Sequence, residues 1–267
     1  MKNKKINCNL SILVVLVIIF ISCEKSELRL TETFLPTDQA FVRFNLHSPN
    51  TLGSVAIKIN DQKINGNLTS PISGVFPAVV NTPEYAAVPV GSNFKLSILR
   101  TASLTDSVLL FSSNLQLEKN KFYSVYLADT FSTRSLFILE DNDASLVDTA
   151  FVKLRLVNAM PNTALSFIEI DSLNPTSVKR DTLSRNIAFK SSSGFLTVPL
   201  RNPTNAPLRF RIVSSSTGAT VASFNPTVAY ATAGTFSAGR SMTITISGFL
   251  GGTSPYSPSL QSTIYNK

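Results

Sequence analysis

The sequence predicts an all-β protein built as two tandem β-sandwiches behind a lipoprotein signal peptide. Three observations predict it: composition, an alternating apolar pattern and a duplicated order of blocks. The 267 residues are 43% hydrophobic and only 15% charged, too apolar and too sparsely charged for a disordered chain. Fourteen Pro, 11 Gly and abundant Ser and Thr occur without runs of Ala, Glu and Lys. That balance disfavours helical bundles and coiled coils and suits turn-rich β structure. One His and two Cys leave almost nothing for zinc or thiol chemistry.

Residues 1–22 read as a signal peptide. Lys2, Lys4 and Lys5 give a positive start, and Ile12 to Ile21 is an unbroken apolar run of 10 residues. A bilayer-spanning helix needs ~20 residues, so this run is the apolar region of a signal rather than a stable anchor. Phe20-Ile21-Ser22-Cys23 resembles a bacterial lipobox, which implies that the Cys23 sulfur is acylated and that the lipid holds the protein to a membrane. Cys8 then leaves with the signal, so the mature chain has neither thiol nor disulfide. The following Glu24-Lys25-Ser26-Glu27 resembles the short Lys-plus-acid export signal of Bacteroidota lipoproteins. That resemblance implies an outer-membrane lipoprotein exposed at the surface. Residues 23–37 contain Pro36 and no periodicity, the marks of a tether that reaches up to ~45 Å when stretched.

The rest of the chain repeats itself. Ala40-Phe41-Val42-Arg43 returns as Ala150-Phe151-Val152-Lys153, an offset of 110. Ala56 to Asn60 corresponds to Phe167 to Asp171, Val88-Pro89-Val90 to Val198-Pro199-Leu200, Phe94 to Leu99 to Leu208 to Val213, and Lys121 to Leu127 to Arg240 to Ile246. The offset grows only where Ser/Thr/Gly-rich loops absorb insertions. The first four pairs alternate apolar and polar residues, the period of a half-buried strand. Val42, Phe44 and Leu46 share a face, as do Val152, Leu154 and Leu156. In the last block Phe122 and Tyr126 oppose Tyr123, Val125 and Leu127, so both faces are partly apolar and a central strand is expected. Asn60-Asp61 and Asn65-Gly66 are turn signals.

Short strands at about 10–15-residue spacing, roughly seven per copy, suit an immunoglobulin-like sandwich of ~100 residues. The expected domains are 38–147 and 148–267. Each would bury one face of each sheet, and few contacts would cross from one copy to the other. A single jelly roll is the alternative, disfavoured because its halves would not each need a complete set of strands.

The openings Ala40-Phe41-Val42-Arg43-Phe44-Asn45-Leu46 and Ala150-Phe151-Val152-Lys153-Leu154-Arg155-Leu156 resemble a bacterial family catalogued as a domain of unknown function. Its repeats start with an A-x-V-R-x-x-N-A-S-P-like strand and occur in tandem on secreted and lipid-anchored proteins. Val88-Pro89-Val90-Gly91, Lys121 to Val125 and Leu136 to Asp141 also fit, whereas Arg201 stands where Gly is usual. The resemblance spans residues ~38–267 and implies β-sandwich surface or adhesion proteins without catalytic residues.

Charge is unequally shared. Residues 38–147 carry 8 basic and 9 acidic side chains, whereas residues 148–267 carry 11 and 4, net +7. In an immunoglobulin-like order the first and fourth strands share a sheet, so Lys153, Arg155, Arg209 and Arg211 are expected on one solvent face. Such a face attracts an anionic glycan, lipopolysaccharide or an acidic protein. No aromatic-studded basic motif points to nucleic acid. Glu140-Asp141-Asn142-Asp143 is the one acidic cluster. Calcium is its weak functional reading, with Glu140, Asp141 and Asp143 as oxygen donors, and a solvated turn its plain one. His47, the only histidine, has no nucleophile-elbow partner and reads as a loop-end residue. No cofactor is expected.

These features predict a non-enzymatic, lipid-anchored envelope protein acting as an interaction or adhesion-like module. A glycan- or polyanion-binding protein assisting polysaccharide capture is the second reading, weakened by the absence of Trp for sugar stacking. A glycoside hydrolase built on two carboxylates is the remote third.

Overall fold

In a computed structural model, the described residues run from 38 to 265, apart from 48–51, 65–67, 72–73, 77–84, 91–93, 102–106, 130–133, 142–143, 145–147, 149–150, 172–178, 200–208, 225–238 and 254–255. The signal peptide, Cys23 and the tether therefore lie outside the described residues, as do Asn65-Gly66 and Asp143. Residues 38–267 form one compact unit, all-β and without helix among the described residues.

Among the described residues this unit holds four sheets. Sheet I has the order β10 (Arg134–Glu140), β9 (Phe122–Asp129), β1 (Gln39–His47), β5 (Gly74–Phe76), with β6 (Ala86–Pro89) also on β1. Sheet II runs β3 (Gln62–Lys63), β2 (Leu52–Ile59), β7 (Phe94–Thr101), β8 (Ser107–Leu115), with β4 (Leu68–Pro71) also on β2. Sheet III runs β14 (Ser191–Ser192), β11 (Phe151–Ala159), β18 (Ser241–Ser247), β19 (Ser259–Tyr265), with β15 (Leu196–Pro199) also on β11. Sheet IV runs β13 (Lys179–Ile187), β12 (Leu165–Asp171), β16 (Arg209–Ser214), β17 (Thr220–Phe224). Sheets I and III match strand for strand, and so do the paths β2-β7-β8 and β12-β16-β17.

The alternation builds two cores. Val42 and Phe44 of β1 and Val125 and Leu127 of β9 pack against Ile57 of β2 and Leu96 and Ile98 of β7. Leu154 and Leu156 of β11 and Ile244 and Ile246 of β18 pack against Phe167 of β12 and Phe210 and Ile212 of β16. The centres of sheets I and III are parallel pairs, β1 with β9 (Phe44 opposite Val125) and β11 with β18 (Leu154 opposite Met242). Parallel pairs are normally covered on both faces, and these are. Tyr126, Ala128 and Phe137 of sheet I form a third cluster with Val157 and Ala159 of sheet III. The layers are therefore stacked II–I–III–IV.

Two expectations change here. A sandwich standing alone would bury one face of each sheet, but β9 and β11 are buried on both. In place of sparse contact between the copies, an apolar layer joins them, because Tyr126 and Phe137 would otherwise face water. The Asn60-Asp61 turn forms as expected. Both residues have positive φ, 46° and 65°, and link Ile59 directly to Gln62, a two-residue loop whose twist suits a hairpin. Gly248, at φ 91°, ends β18 where a β-carbon would strike the Ser257 carbonyl. Only glycine fits there.

Candidate functional site

Within the acidic cluster Asp141 does open a turn, its carbonyl accepting from the Ala144 N–H at 3.0 Å, but its carboxylate is buried rather than solvated. Asp141 follows β10 and is 0% exposed. Its backbone N–H donates to the Phe122 carbonyl (2.7 Å), which draws the carboxylate under the sheet. Tyr85 Oη (2.9 Å) and Ser124 Oγ (2.6 Å) donate to its Oδ2. Arg155 Nη2, from β11, donates to Oδ1 at 2.5 Å as an ion pair. Arg155 is 2% exposed. It also donates to the Glu140 carbonyl (3.1 Å) and to Thr243 Oγ1 (3.0 Å), and its guanidinium lies 4.5 Å from the Phe195 ring centre. Arg43 covers the Tyr85 ring at 5.0 Å. The planar fork of arginine suits this arrangement, since one cation serves a carboxylate, a carbonyl and an aromatic face together.

This geometry bears on the calcium reading. The Asp141 oxygens that would ligate calcium instead accept hydrogen bonds from Arg155, Tyr85 and Ser124, and a guanidinium occupies the place of a cation. Glu140 points outward to an ion pair with Lys121 (3.5 Å), and Asp143 lies outside the described residues. Among the described residues no three His, Cys, Asp or Glu side chains gather as a metal site.

The four cations Lys153, Arg155, Arg209 and Arg211 do not share a face. β11 belongs to sheet III and β16 to sheet IV, and they oppose one another across the second core. Alternation then sends Lys153 and Arg155 to the side of sheet III that meets the first copy. Arg211, flanked by buried Phe210 and Ile212, takes the far side of sheet IV. Sheets pack ~10 Å apart, so the two pairs stand on opposite sides of a full sandwich.

The backbone register brings a different set of positions into line on sheet IV. Ile170 of β12 is opposite Arg209 of β16 on one side and Arg180 of β13 on the other. In the next outward row Ile168 is opposite Arg211 and Thr182, and Arg211 is opposite Ser223 of β17. Positions 180, 209 and 211 thus share the outer face of sheet IV. The acids of this sheet fall on the other parity: Glu169 is opposite Asp181 and the core residue Phe210, and Asp171 is opposite Lys179. The sequence holds the signal for this row, since Lys179-Arg180 lies next to the duplicated blocks. Its place emerges only once the β12–β13 register, with its irregularities between Leu165 and Ile168, is known.

His47 is the last residue of β1 rather than a loop residue, 2% exposed and stacked on Tyr126 at 6.0 Å between ring centres. Burial lowers its pKa to about 4, so the ring is neutral at pH 7.

No family model matches the chain, and no curated protein matches it. Solved structures overlap it only loosely. An adhesin candidate from Bacteroides ovatus shares 12% identity over 80% of this chain and 90% of its own, with a TM-score of 0.27. The fimbrial anchor protein Mfa2 from Porphyromonas gingivalis shares 8% over 85% and 97%, at 0.30. A tandem-domain portion of Extended-Synaptotagmin 2 shares 9% over 83% and 86%, at 0.27. Likeness at this level carries no function over to this chain.

Proposed function

We propose that this chain is a lipid-anchored outer-membrane protein, exposed at the cell surface, that works as a non-enzymatic interaction module of the adhesion type. Its 38–147 and 148–267 segments are two copies of one sandwich. The observation that carries this reading is the use made of the buried ionisable groups. Asp141 and Arg155 join the layers to one another, and His47 is sealed between them, so these groups serve cohesion and the outer sheets meet the surroundings. The N-terminal pattern ending in Ser22-Cys23 supplies the anchor. The second reading, polyanion capture, is favoured by the net +7 of residues 148–267.

Palmitate labelling of expressing cells tests the anchor, together with protease shaving of intact cells and a whole-cell adhesion assay. The wild type should take the label, be shaved from the surface and raise adhesion. Cys23→Ala should lose all three. Equal labelling of Cys23→Ala, or adhesion unchanged by deletion of the protein, would overturn this function.

A further inference from the structure

We infer that the layer where sheets I and III meet is a reversible joint, which opens as a unit while the two cores stay folded. Three features argue for it. The first is connectivity. Among the described residues β1 to β10 form sheets I and II, β11 to β19 form sheets III and IV, and no sheet mixes the two sets. The chain passes from one set to the other once, between β10 and β11. Sheets I and III can therefore part without breaking a strand ladder. Among the described residues, the bonds given up are those of side chains, with the Arg155 guanidinium at their centre.

The second feature is composition. Val42, Phe44 and Leu46 of β1 enter the first core, and Met242, Ile244 and Ile246 of β18 enter the second. Alternation turns Arg43, Asn45 and His47 of β1, and Thr243, Thr245 and Ser247 of β18, to the opposite faces. All six are buried. Apolar contact in this layer is confined to two small clusters, Tyr126, Ala128 and Phe137 with Val157 and Ala159, and Tyr85 and Ala144 with their aromatic neighbours. Permanent interfaces resemble an apolar core cut in half, whereas interfaces between parts that move are more polar. The I–III layer is of the second kind.

The third is unmet hydrogen bonding on the closing surface. Asn45 Nδ2, His47 Nε2 and Ser135 Oγ are buried without a hydrogen-bond partner. They fall in adjacent rows of sheet I: Asn45 is opposite Tyr126, itself opposite Phe137, and His47 is opposite Ala128, itself opposite Ser135. Tyr126, Ala128 and Phe137 are the residues that meet Val157 and Ala159 of sheet III. Leaving a buried polar group without a partner costs its full desolvation, and opening returns all three groups to water. The Asp141–Arg155 pair and the small apolar clusters hold the layer closed against that cost. Each core joins many more apolar residues, so the I–III layer is the least stable part of the stack and yields first.

The test is thiol labelling. The mature chain with Cys23→Ser has no cysteine, so one introduced thiol reports on its own surroundings. Ala128→Cys in sheet I and Ala159→Cys in sheet III probe the joint. Val125→Cys, on the same strand as Ala128 but in the first core, and Val152→Cys in the second core are the references. Each variant is labelled with iodoacetamide at increasing urea below its unfolding transition. Both joint probes should label about tenfold or more faster than both references, because they need only the partial opening. Their two rates should match and depend weakly on urea, since little surface is exposed, while the references should depend on it steeply. Where an alanine variant shifts the unfolding midpoint, Ser135→Cys and Ser247→Cys replace it as near-isosteric probes of the same layer. Equal rates and urea dependence at all positions would mean that the layer parts only on global unfolding, and would overturn the joint. Fast labelling on one sheet alone would also overturn it, by showing local fraying in place of a concerted opening.

Discussion

Arg155→Met is the most informative single change, because Arg155 of sheet III and Asp141, which follows β10 of sheet I, are both fully enclosed. Methionine keeps the apolar stem and removes the charge. Asp141 would keep the Tyr85 and Ser124 hydroxyl donors but lose its counter-charge, and the Glu140 carbonyl and Thr243 would lose donors. Stranding one member of a buried pair costs about 3–5 kcal/mol. Asp141→Asn strands the guanidinium instead and should cost a similar amount. With both changes neither side is left with an unbalanced charge, so the double variant should lose about 2 kcal/mol less than the sum of the singles. The exposed pair of Lys121 with Glu118 (2.9 Å) is the control, and Lys121→Met should be close to neutral. Urea unfolding followed by far-UV circular dichroism is the assay, since the chain has no Trp. A loss below about 1 kcal/mol for Arg155→Met, or strict additivity in the cycle, would refute the idea that this pair binds sheets I and III together.

Two further changes probe the same interface. His47 has a pKa lowered from 6.5 to about 4 by burial, so the unfolded chain binds the extra proton between these values. Stability should therefore rise with pH across that window and be lost as pH falls through it, by at most ~3 kcal/mol. Urea midpoints from pH 7 to 4.5 measure this, and His47→Gln should flatten the slope; an unchanged slope would assign it to other groups. Tyr126→Ala should destabilise by roughly 3–5 kcal/mol, although Tyr126 faces away from the first copy's own core. A near-neutral result in the same urea assay would mean that sheets I and III do not pack together.

Strands and their inward faces are legible in the residues alone. These are local properties, set by a period of two residues. Val42, Phe44, Leu154 and Leu156 are inward as their alternation requires, and Asn60-Asp61 turns where its residue types favour positive φ. Which sheet each strand joins, and what covers the second face of each inner sheet, depend on packing between distant segments. Arg155 shows why. Alternation places it opposite Leu154 whether that second face meets water or another sheet. A charged residue read alone suggests water, but a partner carboxylate 14 positions away makes burial tolerable. The matching clue lay in Phe122 and Tyr126, apolar on the side of β9 that faces away from Tyr123, Val125 and Leu127. They announced a cover without saying what it was. The arginine row of sheet IV has the same origin: Arg180, Arg209 and Arg211 come from strands separated in sequence. The β12–β16 and β12–β13 hydrogen-bond registers are what align them.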